Sequence, residues 1–332
     1  MTENFILADG RWSGPHGIGR FSTEILARLN NTVVISDGPK PLSLKNIFWL
    51  GPKIKFYPNS RIYFSPGFNP VLFSPIPFTI TIHDLIHLRV NENFSFFKKI
   101  FYELFIKPTA KRAYKIFTVS DFSKRTILEW LKIPEEKVVV VYNGISDIFT
   151  AEGPRYSPGF SYLLNVANNK PHKNIERLLI AFANAKINHE IKLILTAKKT
   201  SEFDAIIKKY ALSDRIVFLN NLSETELAGL YRGALALTFP SLYEGFGLPI
   251  LEAMASGVPV LTSNTTSMPE VAGDAAILVD PYDTDAIARG VEKIVNNLPL
   301  RDELHRNGLE RAKFFTWEKT ASKIEEILSE SP

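Results

Sequence analysis

Short apolar, β-branched runs alternate with helix-period stretches along the whole chain. In the first half, FILAD (5–9), TVVIS (32–36), RIYFS (61–65), FTITIHD (78–84), IFTVS (116–120) and VVVVYNG (138–144) read as strands. Helices are expected over 19–29, 94–114 and 121–132, with Pro108 a candidate break in the second. SDIFTAEGPRYSPGFS (146–161) then brings two prolines, two glycines and little apolar period, the composition of a linker. After it the alternation restarts. YLLNVA, IKLILTA, IVFLN, ALALTFP, PVLTS and AAILVD read as strands, separated by helices over 174–185, 201–211, 223–232 and 249–256, with further helices to the end. Such alternation predicts parallel sheets with helices on both faces, an α/β fold of two Rossmann-like domains. The expected bounds are 1–150 and 151–305, with the helices of 306–332 a candidate to pack back on the first domain.

Length supports that division, since 332 residues exceed what one compact core usually holds. Apolar content of 45% and charged content of 22% are those of an ordinary globular protein. No stretch approaches the roughly 20 apolar residues of a membrane-spanning helix. The N-terminal MTENFILADGRW has no basic region ahead of its apolar run, so it reads as a first strand and not a secretory signal. With no cysteine, disulfides, thiolate nucleophiles and cysteine metal sites are excluded, and a cytoplasmic location is expected. The net charge of +4 is mild for a nucleic-acid binder, and none is expected as a partner. One local excess changes the picture. Residues 93–115 hold Lys98, Lys99, Lys107, Lys111, Arg112 and Lys115 against Glu103, interleaved with phenylalanines. Such a helix suits peripheral contact with an anionic membrane, and equally a core helix whose lysines face water.

The densest chemistry lies in SLYEGFGLPILEAMASG (241–257). A strand precedes it and a helix follows, with Pro249 at the first helical position and Gly257 just past the end. The loop therefore sits at a strand's carboxyl end, where open parallel sheets bind ligands. Backbone N–H groups from Gly245, Phe246, Gly247 and Leu248, with the positive end of the helix dipole, suit a phosphate or diphosphate. Glu244 and Glu252 flank that position, and a carboxylate accepts two O–H groups well. Hydroxyls, phosphates and more hydroxyls in a row describe a nucleotide sugar. Taken singly, Glu244 could serve only as a helix cap and Glu252 could be merely solvated.

The segment FPSLYEGFGLPILEAMASGVPVLTSNTTSMPEVAGDAAILVDPYD resembles the donor site of retaining glycosyltransferases of family 4, which have the GT-B fold: two Rossmann-like domains whose sheets face a central cleft. Their paired glutamates, seven residues apart, match Glu244 and Glu252. The resemblance spans the chain and is strongest over 215–290. It implies that Glu244 contacts hydroxyls of the transferred sugar, the amides after it the diphosphate, and Glu252 the ribose. NVANNKPHKNIERLLIAF is similar to the segment that sets a basic pair beside the diphosphate. Here Ala167 and Asn168 replace the usual Gly-Arg, and His172 replaces an arginine, so Lys173 carries most of the role.

In the first domain, SGPHGIGRF matches the family's glycine-rich turn at Gly17 and Gly19. A dinucleotide fingerprint ending at Asp37 fits less well, because Ser22 replaces the third glycine and the loop is too long. By resemblance His83 positions and polarises the transferred sugar, while Ser120 and Asn143 line the cleft. Helix capping by Ser120 or Asp121 is the alternative, and His87 is taken as structural. Asp283-Thr284-Asp285 resembles a metal-binding acid pair of the other main glycosyltransferase fold, but an N-cap explains it more simply, and no metal or other cofactor is expected. The implied reaction moves a sugar from a nucleoside diphosphate sugar, GDP-mannose first, to a hydroxyl of a glycan or lipid-linked acceptor, with anomeric configuration kept. The expected setting is bacterial surface polysaccharide synthesis. A silent sugar-nucleotide-binding subunit, or an epimerase or phosphorylase of the same fold, stays open beside it.

Overall fold

The computed structural model describes residues 5–14, 17–89 and 96–331, and of 96–98 the backbone alone. The chain divides into two compact units, Met1–Gly144 with Thr316–Pro332, and Ile145–Phe315. Each carries its own six-stranded sheet, paired in parallel throughout.

In the first unit the strands are β1 (Phe5–Asp9), β2 (Thr32–Ile35), β3 (Ser60–Ser65), β4 (Phe78–Thr81), β5 (Lys115–Thr118) and β6 (Val138–Val140), in the spatial order β2-β1-β3-β4-β5-β6. Central strands covered by helices on both faces must be apolar on both, and the four residues of β4 are all buried. One face is covered by α1 (Gly17–Leu26), whose Phe21 and Ile25 pack with Phe64 and Phe117. On the other face, α2 (Leu44–Lys55) supplies Leu50 and Ile54. A single turn α3 (Ile86–Arg89) follows β4.

The helix expected over 94–114 does not break at Pro108. Residues 93–95 lie outside the described residues. From there α4 (Phe96–Phe101) runs through a π-helical stretch, Tyr102–Ile106, into α5 (Lys107–Arg112). Proline has no N–H, and its ring would strike the carbonyl four residues back in a regular helix. The wider π turn, closed by Lys107 N–H on the Tyr102 carbonyl, lets the helix continue. Next, α6 (Asp121–Leu131) joins β5 to β6.

The second unit orders its strands β12-β11-β10-β7-β8-β9: β7 (Tyr162–Asn165), β8 (Lys192–Leu195), β9 (Ile216–Phe218), β10 (Ala236–Phe239), β11 (Val260–Ser263) and β12 (Ala276–Val279). Its helices are α7 (Ile175–Asn184), α8 (Ser201–Lys209), α9 (Glu224–Gly233), α10 (Leu248–Ala255), α11 (Met268–Ala272), α12 (Thr284–Asn296) and α13 (Leu298–Ala312). Asp283 caps α12, accepting from the amides of Asp285 and Ala286, which accounts for the Asp-Thr-Asp run. The proline-rich stretch after residue 146 is fastened to α9: the Arg232 guanidinium donates to the carbonyls of Pro154 at 2.8 Å and of Ile148 and Thr150 at 3.4 Å. Finally α14 (Trp317–Ser329) returns to the first unit, where Trp317, Ile324 and Leu328 join the core beside α1.

Candidate active site

A parallel sheet wound outward from its first strand in both directions leaves a crevice where the direction reverses, at the strands' carboxyl ends. In the second unit that point lies between β7 and β10. The loop after β7 delivers Lys173 there, and the loop after β10 delivers Glu244. The two side chains meet: Lys173 Nζ is 2.7 Å from Glu244 Oε1, with the side chains only 15% and 13% exposed. Neither is a surface group. The ammonium also lies 5.4 Å from the centre of the Phe239 ring, the last residue of β10.

The loops are shaped to make this meeting. Pro171–Lys173 form one 3-10 turn, and Asn174, in a left-handed conformation at φ 61°, starts α7. Its amide group donates to the carbonyls of Pro240 at 2.9 Å and Pro281 at 2.8 Å, tying together the ends of β7, β10 and β12. His172 is buried, and its carbonyl accepts from Leu242 N–H at 2.7 Å. After Glu244, Gly247 takes φ 103° and opens α10 at Leu248, placing Pro249 second in the helix and not first. The first amides of a helix have no intrahelical partner, so those of Gly247 and Leu248 lie at the positive end of its dipole. Gly245 and Phe246 are buried, Phe246 edge-on to Phe315 with ring centres 5.8 Å apart.

Glu252, one turn into α10, is not solvated. It is 4% exposed, and Tyr231 O–H donates to its Oε2 at 2.9 Å. Two residues with no motif to announce them hold the whole loop. Thr266, left-handed at φ 59°, accepts the Glu244 N–H at 3.3 Å. Ser267 O–H lies 2.9 Å from the carbonyls of both Glu244 and Phe246. Nearby, the buried hydroxyl oxygens of Ser241 and Thr265 have no hydrogen-bond partner among the described residues.

In the first unit the winding reverses between β1 and β3. Here sequence reading missed the main feature. Asp9, fully buried at the end of β1, is gripped by Arg11 through Nε at 2.8 Å and Nη2 at 2.7 Å, by Tyr63 O–H at 2.8 Å and by the Asn69 amide. Burial, with the Asp9 charge beside it, pushes the Tyr63 phenol well above its ordinary range. His83 lies two residues beyond β4 and is buried. Its Nε2 is 2.9 Å from the Pro66 carbonyl, which can only accept, so Nε2 carries the hydrogen. Its ring stands edge-on to Phe21 at 4.9 Å, and its carbonyl accepts from Ser123 O–H at 3.0 Å. Ser120 caps α6, accepting the Ser123 N–H at 3.0 Å. Asn143 is buried, and its Oδ1 has no partner among the described residues. Gly17 and Gly19 both fall in the first turn of α1. Of the two, only Gly19 is sterically required, because a Cβ there would collide with the Gly14 backbone, whereas a Cβ on Gly17 would meet none of the described residues within 4 Å.

The sequence profile described as Glycosyltransferase Family 4 matches residues 26–147, and that described as Glycosyl transferases group 1 matches 155–311. The chain belongs to glycosyltransferase family 4. Among relatives of this family member, the O-antigen chain mannosyltransferase B of Escherichia coli is 34% identical over 63% of this chain and 58% of its own length. The O-antigen chain mannosyltransferase RfbU of Salmonella typhimurium is 32% identical over 65% and 60%. The serotype-specific mannosyltransferase WbdA of Escherichia coli is 31% identical over 72% of this chain and 32% of its own. The chain thus spans less than two thirds of each of these relatives. Among solved structures, WaaG, a glycosyltransferase involved in lipopolysaccharide biosynthesis, superposes with TM-score 0.78 at 18% identity, covering 98% of this chain and 100% of that one. Anabaena HepE, solved with UDP and glucose, gives 0.75 at 17% identity over 99% and 100%. The fold is GT-B.

Proposed function

We propose that this glycosyltransferase moves mannose from GDP-mannose to a hydroxyl of a glycan or lipid-linked acceptor in surface polysaccharide synthesis, with anomeric configuration retained. The observation that carries the reading is the Lys173–Glu244 pair astride the reversal point of the second sheet, at the opening of α10. A diphosphate seated on the amides of Gly247 and Leu248 lies within reach of a cation that can neutralise the charge released when the sugar leaves. Glu244 accepts hydroxyls of the sugar, and Glu252, its carboxylate steadied by Tyr231, accepts those of the ribose. The bond from the anomeric carbon to the phosphate oxygen breaks, one to the acceptor oxygen forms on the same face, and the acceptor proton passes to the leaving phosphate. The chain's own part is to position the donor and stabilise the anion. The names of the relatives supply the preference for mannose.

In this scheme the donor competes with Glu244 for Lys173, so binding and chemistry draw on the same pair. Removing the cation should therefore cost turnover more than affinity. With GDP-mannose and an acceptor glycan, Lys173→Ala is expected to lower kcat by about 100- to 1,000-fold, and Glu244→Ala by a similar factor. Because the pair is mostly buried, each variant is expected to lose about 1–3 kcal/mol in the melt while staying folded, so turnover is compared on folded protein. Full turnover by either variant, or donor binding without transfer by the wild type, would overturn the proposal.

A further inference from the structure

Two lysine-bearing segments of the first unit, remote in sequence, meet across one loop. Residues 40–57 contain Lys40, Lys45, Lys53 and Lys55 and no acidic residue. Within them, Gly51 of α2 lies so close to the Phe73 backbone that a Cβ would press on its carbonyl. From the other side Arg112, at the end of α5, donates to the carbonyls of Val71 and Leu72 at 2.6 Å each. The helices α2 and α5 thus bracket the loop at 71–73. That face exposes what a soluble surface normally hides: Leu44 is 62% exposed, Phe48 72% and Phe73 78%. Phe48 sits one turn before Gly51 and Leu44 one turn before Phe48, so the three apolar side chains belong to one ridge. Lys45, Lys55, Lys111 and Arg112 are all exposed around it. The one acid of α4 to α5, Glu103, is occupied by Lys107 at 2.7 Å and by Trp130 Nε1–H at 2.8 Å.

We infer that this ridge docks the first unit onto an anionic lipid bilayer. A lipid interface takes up apolar side chains to a shallow depth while the lysine ammonium groups stay among acidic headgroups, and both halves of that chemistry are present. A second copy of the chain would bring the same positive charge and be repelled. The inference extends the basic helix noted in the sequence to α2 and the loop at Phe73, which composition alone did not mark. It stands on surface chemistry and is independent of the donor site.

The test is flotation of the full chain with vesicles of phosphatidylcholine, alone or with about 30% phosphatidylglycerol. The wild type is expected to float with the anionic vesicles at low salt, and less as salt is raised. The double variant Phe48→Ser/Phe73→Ser should lose at least about tenfold in partition. Lys45→Gln/Lys55→Gln should lose the preference for anionic over neutral vesicles. Because these side chains are exposed, both variants should melt as the wild type does. No flotation of the wild type, or equal flotation of Phe48→Ser/Phe73→Ser, overturns the inference. So does self-association in sedimentation that the phenylalanine variant abolishes while vesicles go unbound, which would make the occupant another copy of the chain.

Discussion

At the scale of single residues, the candidate site is built on backbone conformations that side chains resist. Asn174, Gly247 and Thr266 all have positive φ, at 61°, 103° and 59°. Each lies in a loop at the carboxyl end of a strand, and such strain collects where a fold fixes functional groups. Gly247→Ala is the cleanest probe. It adds a Cβ 3.1 Å from Ile250 Cδ1 in a conformation alanine disfavours, and a denaturant melt should show a loss of about 1–3 kcal/mol. Unchanged stability would mean that the turn can relax. Ser267→Ala should lower turnover and cost about 1–3 kcal/mol in the melt, since it removes a buried donor to the carbonyls of Glu244 and Phe246. Rescue by Ser267→Thr would distinguish alignment from packing. The spacing of Glu244 and Glu252 was legible because chemistry and chain direction coincide there. Lys173 was named only through the resemblance, and its direct pairing with Glu244 was not legible, since 71 residues separate the two and only the sheet order brings them together. Thr266 and Ser267 were invisible for another reason: they bind main-chain groups, which leave no mark in the sequence.

At the scale of elements, most strands were readable from their apolar runs, because parallel strands are buried on both faces. The helix α2 was missed. Its apolar positions Ile47, Leu50 and Ile54 have helical spacing, but Gly51-Pro52 looks like an end. The structure gives the glycine a different reason, the close approach of Phe73, and the helix carries the proline internally. The stretch 146–161 has a linker's composition, yet its first part is fixed. Arg232, 9% exposed, donates to three of its carbonyls, and Tyr156 N–H bonds the Gly229 carbonyl at 2.9 Å. Arg232→Ala should release that segment. Limited proteolysis is expected to cut within residues 146–158 several-fold faster than in the wild type, whereas equal rates would show that the remaining contacts suffice.

At the scale of the molecule, each unit holds a separate core and buried phenols. Burial pushes Tyr63 and Tyr102 upward in the first unit and Tyr162 in the second. Above about pH 10 the unfolded chain loses these protons while the folded chain keeps them, so stability is intact below that point and falls as pH rises toward the folded values. Denaturant melts should show a decline of up to about 1.4 kcal/mol per pH unit for each such tyrosine, and a flat profile would contradict their burial. The two-unit parallel architecture was legible from the alternation of runs, and the return of α14 to the first unit rests on its apolar stripe of Trp317, Ile324 and Leu328. The central claim is that the opening of α10 and Lys173 together hold a diphosphate. A crystal structure with GDP-mannose bound tests it most directly. The account predicts phosphate oxygens about 3 Å from the amides of Gly247 and Leu248 and from Lys173 Nζ, with Glu244 turned to the sugar. A diphosphate bound elsewhere, with the Lys173–Glu244 pair intact, would contradict it.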